Sequence, residues 1–425
     1  MRRSASIRAA LGKLGVLLPG LGAVATTAMA GVFLARRGVA RPTGSLTQVG
    51  TLRVGGQARP LGEVVPLASL DDLEFGGWDI FPDDALASAT HAGVLSTEHL
   101  DAVGAELRSV RPMRAAFYPE YVRRLQGPHV KSTSTKAEMV EQLRDDIRAF
   151  RRSRGCVRLV AVWCGSTETY LTPGAVHQSV RTFEEGLARN APEISASQLY
   201  AWACLQEGVP FANGAPNLTV DFPAAWELAR LRGVPIAGKD LKTGQTLLKT
   251  ILGPGLKARS LGLTGWVSAN LLGNRDGEVL SDPDAFRAKE ATKLGVLEGI
   301  FGADGEAADF EHHVAIDYYR PRGDAKEAWD SVDLYGWLGY PMQLKMNFLC
   351  RDSILAAPLV LDLALLLDLA QRADLSGVQE WLGFYFKSPM TGAGERPEHD
   401  LFVQRRRLEA TLRGLAAGEP VERHA

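Results

Sequence analysis

The chain lacks a charge bias: 48 Lys and Arg stand against 49 Asp and Glu, a formal net charge of −1 over 425 residues. The summed charge gives no attraction to nucleic acid or to an anionic membrane, and neither partner is expected. Cysteine is scarce. Cys156, Cys164, Cys204 and Cys350 include no Cys-x-x-Cys pair, which argues against a disulfide framework and a cysteine zinc site and fits the reduced thiols of the cytoplasm. The eight histidines show no metal-ligand spacing. His312 and His313 are adjacent, would point apart on either regular element, and are read as incidental. No protein metal site is expected, although a cation at Asp or phosphate oxygens is left open. There is no internal repeat and no low-complexity tract. What remains, 46% hydrophobic and 23% charged, is globular and long enough for two or three cores.

The N-terminal region admits two readings. Arg2-Arg3 followed by an apolar run, Leu14 to Ala30, ending Ala28-Met29-Ala30, has the form of a secretory signal. The same residues also read as strand, glycine turn and helix. Leu14–Leu18 precedes Pro19-Gly20-Leu21-Gly22-Ala23-Val24-Ala25, a Gly-x-Gly-x-x-Ala turn before a run of small and apolar residues. That order is the one a dinucleotide site requires: a turn glycine, a glycine that lets backbone approach a pyrophosphate, and a small residue where helix meets strand. One part is missing. The acid that holds the adenosine ribose is expected about 20 residues on, yet no Asp or Glu lies between Arg36 and Leu61.

Further along, Phe75-Gly76-Gly77-Trp78-Asp79-Ile80 reads as a strand end and turn, and Thr97–Ser109 and Lys136–Arg152 read as helices. Val157–Trp163 has the continuous apolar character of a buried parallel strand, with Gly165-Ser166-Thr167-Glu168 at its C-terminal end, where open α/β sheets place ligands. Val209–Ala212 and Val234–Ala237 read as further short strands ending at polar turns. Strands alternating with helices predict a doubly wound sheet. From Leu247 the character changes. Leu247–Leu256 reads as helix, Gly265–Ala269 and His313–Tyr319 as strands of a second domain. Ile354–Ala370 is apolar enough to suggest a membrane span, but it is short for one and contains Pro358, Asp362 and Asp368; a buried core helix is expected.

Lysines recur at suggestive places. Lys289 and Lys293 are four apart on one helix face. Lys326 follows Asp324 in a loop, and Lys387 follows Tyr385-Phe386. Taken singly, each reads as a solvated lysine. Gathered, they would grip a phosphate and stabilise oxyanions, and their mutual repulsion would depress one lysine pKa toward that of a base.

The segments Asn213–Asn217, Ala237–Thr246, Leu272–Gly277, Phe286–Lys293, Gly323–Lys326, Asp352–Pro358 and Phe386–Pro389, in that order, resemble the myo-inositol-phosphate synthase family, as does Phe75–Ile80. The chain departs from the family pattern at Lys239-Asp240, where a pair of Asp is usual, at Leu247, where a Lys often closes the motif, and in the glycine turn. The resemblance implies a Rossmann-like doubly wound NAD-binding domain (residues 1–246) interrupted by an α+β catalytic and tetramerisation domain (247–351), with 352–425 returning to the first. It implies NAD as cofactor, a sugar-phosphate substrate, a homotetramer, a cytoplasmic location, and a role in inositol and phospholipid biosynthesis. Carried over residue by residue, it implies catalytic Lys289, Lys293, Lys326, Lys387, Asp240, Asn274 and Asp276. Thr243, Asp324 and Asp352 would bind substrate. Gly20, Gly22, Thr26, Asp79 and Thr167, with Asp240 and Asp352, would bind cofactor, and Asp79 would supply the missing ribose acceptor.

The implied reaction has no net redox change. C5 of open-chain glucose 6-phosphate is oxidised, a C6 proton is lost, C6 attacks the C1 aldehyde, and C5 is re-reduced. Three rival readings stand beside it: an NAD-dependent oxidoreductase, which would release NADH, or a cyclase, acting on a related sugar phosphate; a non-catalytic NAD-binding regulator on the same fold; and an exported protein.

Overall fold

The computed structural model describes residues 7–302, 309–392 and 395–419, the side chains of 291–294 excepted. The apolar run near the N-terminus is strand β1 (Lys13–Pro19) and the helix Ala23–Arg36, with Gly22 as its N-cap. β1 alternates as a doubly covered strand must. Leu14, Val16 and Leu18 face one core, and Leu17 faces the other. Arg2 and Arg3 lie outside the described residues.

A hairpin, β2 (Thr51–Val54) and β3 (Gln57–Pro60), lies between that helix and the next strand, β4 (Leu73–Asp79). Phe75–Asp79 therefore belongs to a full strand rather than to a strand end and turn. Then come β5 (Met113–Arg114), β6 (Cys156–Trp163), β7 (Phe211–Asn213) and β8 (Pro235–Ala237). With β13 (Gly377–Val378) they form one parallel sheet in the order β13-β8-β7-β6-β1-β4-β5. The order reverses between β1 and β6, so the loops after these two strands part and leave a crevice at their C-terminal ends. The doubly wound α/β expectation is met.

The second sheet has four strands: β9 (Gly262–Leu272), β10 (Glu311–Tyr318), β11 (Ala325–Tyr335) and β12 (Pro341–Arg351), in the order β10-β9-β11-β12. β10 runs parallel to β9, reached through the helices Arg275–Leu280 and Pro283–Phe301, while β11 is antiparallel to both β9 and β12. The helix Gly244–Ala258 leads into this sheet. The span read as helix over Thr97–Ser109 is two short helices, Thr97–Ala102 and Gly104–Ser109, broken at Val103.

The most apolar segment is the helix Asp352–Arg372, long and apolar enough by composition to cross a membrane. Here it is a core helix packed on Ala23–Arg36. Its buried acids are satisfied. Asp362 accepts from the Ser45 hydroxyl (2.5 Å), the Thr47 hydroxyl (2.6 Å) and the Leu46 and Thr47 amides. Asp368 pairs with Arg158 and Arg372. Such partners are what permit carboxylates inside a core.

Candidate active site

The glycine turn is built for close approach. Gly20 has φ +88°, in the left-handed region, and a Cβ on it would lie 2.5 Å from Gly165 Cα in the loop after β6. The two loops of the switch point touch there, and only glycine fits. Gly22 has an ordinary φ of −84°, and a Cβ there would meet nothing within 4 Å. Its position at the start of a helix with no side-chain cap leaves open space before free amide groups, as a pyrophosphate requires.

Asp79 ends β4, the strand beside β1. This is the strand on which a nucleotide-binding sheet carries its ribose acid, and the hairpin inserted before β4 puts Asp79 far beyond the usual spacing from the glycine turn. Its carboxylate accepts from Leu21 N at 2.7 Å and Phe81 N at 3.0 Å, so it also braces the glycine turn. Burial pushes its pKa up, against the pull of these amides and of Arg275.

Gly20, Gly22, Asp79 and Thr167 line a cavity of about 690 Å³. Asp240, Thr243, Asn274, Asp276, Lys289, Asp352 and Lys387 line the same cavity. Thr26 does not reach its wall. Its hydroxyl donates to the carbonyls of Gly22 (2.9 Å) and Ala23 within its own helix.

The charged cluster is organised by two acids. Asp240, 1% exposed and with φ +62°, follows β8. Its Oδ1 accepts from Lys289 Nζ at 2.9 Å and Lys387 Nζ at 3.0 Å, groups far apart in sequence. The Lys387 amide also donates to the Asp240 carbonyl, stitching the C-terminal segment to this loop. Asp352, at the start of the core helix, pairs with Lys326 at 3.3 Å. Behind them Asp324 accepts from Ser353 Oγ (2.7 Å) and Asn274 Nδ2 (3.1 Å). Neither Asp324 nor Lys326 lines the cavity; they act on it through Asn274 and Asp352. Lys326 is not in a loop but is the second residue of β11. Lys293 lies on the Pro283–Phe301 helix, and its side chain is outside the described residues.

The electrostatics differ from a bare cationic pit. Burial alone would raise the Asp240 pKa, but the charges of Lys289 and Lys387 hold it at about 2. Asp352 is likewise held well below its ordinary value, against its burial, by Lys326 and Lys387. Burial works against the Lys289 ammonium, yet Asp240 and Asp276 raise its pKa; Lys326, also buried, is raised by Asp352. Of Lys289, Lys326 and Lys387, the last alone falls, to about 8, chiefly through burial, with Lys289 adding repulsion. The expected depression of a lysine is therefore real, but desolvation leads it and repulsion is secondary. One carboxylate shared by two ammoniums favours the charge on Lys289, and Lys387 is the amine that gives way.

Sequence reasoning passed over Ser353 and Arg275, each beside a residue it did name, because a neighbour's contact is not visible in one dimension. It also set His312 aside. Its Nε2 lies 2.7 Å from the Nζ of buried Lys249, on the inner side of the second sheet.

Comparison with known proteins places these features in a family. Residues 14–413 match the family model described as myo-inositol-1-phosphate synthase, an NAD-binding family. The inositol-3-phosphate synthase 1 of Bacteroides thetaiotaomicron is 51% identical, over 96% of this chain and 97% of its own. That of Oryza sativa is 34% identical over 96% and 87%. The crystal structure of inositol-3-phosphate synthase from Caenorhabditis elegans superposes with a TM-score of 0.89 at 27% identity, covering 96% of this chain and 87% of that one.

Proposed function

The chain belongs to the myo-inositol-1-phosphate synthase family, and we propose that it converts glucose 6-phosphate to inositol 3-phosphate in inositol biosynthesis, by oxidation at C5, enolisation, intramolecular aldol closure and re-reduction. The observation that carries this reading is one cavity lined both by the Gly20–Gly22 turn and by Lys289 and Lys387, which share Asp240. The glycine turn, the open space before Gly22 and the acid at the end of β4 fit a dinucleotide. Bound NAD supplies a hydride acceptor and donor.

The chain's own residues do the rest. Each step of this reaction moves negative charge onto an oxygen, so fixed cations in a water-poor site act where that charge develops. Lys289, kept charged by Asp240 and Asp276, is suited to hold oxyanions without releasing its proton. Lys387, with a pKa of about 8, is suited to pass a proton to and from substrate oxygens near neutral pH. Lys326 adds a fixed charge through Asp352, and Lys293 is assigned to the phosphate. Gly20, Gly22, Asp79 and Thr167 are assigned to the cofactor.

We read residues 1–246 and 352–425 as the NAD-binding part and 247–351 as the catalytic part. Strand β13 joining the first sheet, and the second sheet lying wholly within 262–351, support this division. We also assign the enzyme to the cytoplasm and read it as a homotetramer. Trp337, Leu338 and Tyr340 are 86%, 77% and 69% exposed beside edge strand β12, an apolar surface that other copies would cover.

The test is incubation with glucose 6-phosphate and a catalytic quantity of NAD. A cyclic, periodate-labile phosphate without net NADH is expected. Stoichiometric NADH would replace the cyclase by an oxidoreductase.

A further inference from the structure

Arg275 opens the Arg275–Leu280 helix between two residues that serve the charged cluster of the cavity. Asn274 bonds Asp324, and Asp276 acts electrostatically on Lys289 and Lys326. The Arg275 side chain goes elsewhere. Its guanidinium carbon lies 4.3 Å from the centroid of the Phe81 ring, in the loop after β4 of the nucleotide-binding sheet. Phe81 follows Asp79 by two residues and donates its amide to that carboxylate. Arg275, Phe81 and Asp79 all line the cavity. Arg275 is exposed, and its contact across the cavity is an aromatic face. A guanidinium lying on a ring keeps its N–H edge for an anion, and the planar fork suits phosphate oxygens.

We infer that Arg275 is a cofactor-retaining residue: seated on Phe81, it joins the Asn274–Asp276 segment to the nucleotide-binding sheet across the ribose–diphosphate portion of the dinucleotide and slows its escape. The inference rests on the cyclase reading, because a reduced cofactor formed early in turnover must stay bound until its hydride is returned. An oxidoreductase that exchanges its cofactor each cycle has no need of such a clasp. The contact spans two parts of the fold, so it also holds the cavity closed while the lysines work.

Direct binding tests this without turnover. The ligand-free protein is titrated with NAD and with NADH by fluorescence, and NADH release is timed by stopped flow against excess NAD. Loss of the stacked cation in Arg275→Ala should weaken NADH binding on the order of tenfold, mainly as faster release. Phe81→Leu should do the same through loss of the platform. Arg275→Lys, which keeps charge but not the planar stack, should fall between. In the presence of glucose 6-phosphate, Arg275→Ala should leak free NADH that the parent protein retains. Parent-like NADH affinity and release in both Arg275→Ala and Phe81→Leu, at unchanged melting temperature, would overturn the inference. A parent protein that binds neither NAD nor NADH would overturn it together with the proposed function, so the two failures are distinguishable.

Discussion

Replacing Asp240 with Asn tests the charge arrangement most directly. The change keeps shape and removes one charge that two buried ammoniums share at 2.9 and 3.0 Å. At an effective dielectric constant of about 20, each such pair has a Coulomb term of roughly 5 kcal/mol. Desolvation offsets part of it, and breaking a buried pair typically costs about 3–5 kcal/mol. Because one pKa unit is about 1.4 kcal/mol, losing half of that Coulomb term lowers Lys387 by roughly two units. From about 8 its titration moves below neutrality, and the amine is uncharged at neutral pH. The expected fall in kcat is on the order of 10²–10⁴, the usual contribution of a positioned proton donor or acceptor. The kcat–pH profile is the assay. The parent should show a limb near pH 8 that moves acidward in Asp240→Asn.

Stability gives a second readout with a fixed sign. A carboxylate whose folded pKa is depressed contributes stability above its unfolded value, and that stability is lost as pH falls through the folded one. The gap in unfolding free energy between parent and variant should therefore narrow as pH drops from 3.8 toward about 2. A variant with near-parental kcat and an unmoved limb would refute the reasoning.

Two further perturbations separate the glycine turn and Asp79 from this charged cluster. Gly20→Ala places a Cβ 2.5 Å from backbone at a positive φ; a stability loss of about 3 kcal/mol and loss of NAD binding are expected, read by denaturant unfolding and cofactor titration. Asp79→Ala removes a carboxylate that accepts two amides beside the glycine turn. A Kd for NAD raised by roughly 10- to 100-fold is expected from calorimetry, and unchanged affinity would remove Asp79 from the cofactor site.

Much of the site was legible in one dimension because its chemistry is carried by local motifs. The turn Gly20-Leu21-Gly22 between an apolar strand and a helix, and the lysines beside turn residues or aromatics, are signals of composition and spacing. Asp79 was harder. The usual spacing rule fails here because the β2–β3 hairpin separates the acid from the turn it serves, and only the pairing of β4 with β1 restores the relation. Thr26 has its place in the motif, but its hydroxyl bonds its own preceding turn, a contact that sequence spacing does not state. Lys326 was misplaced because strand β11 begins directly after the Gly323-Asp324 turn.

The sequence alone determined the alternation of strands and helices, the fate of the apolar runs as core, and the kinds of group available for chemistry; these follow from side-chain volume, polarity and period. Tertiary structure decided which charges meet. Asp240 is shared by lysines 49 and 147 residues away, and that sharing, with burial, favours Lys289 as a fixed cation and Lys387 as a titrating one. A pKa is set by the dielectric and the charges within a few ångströms, and no property of a lysine in a string states who those neighbours are.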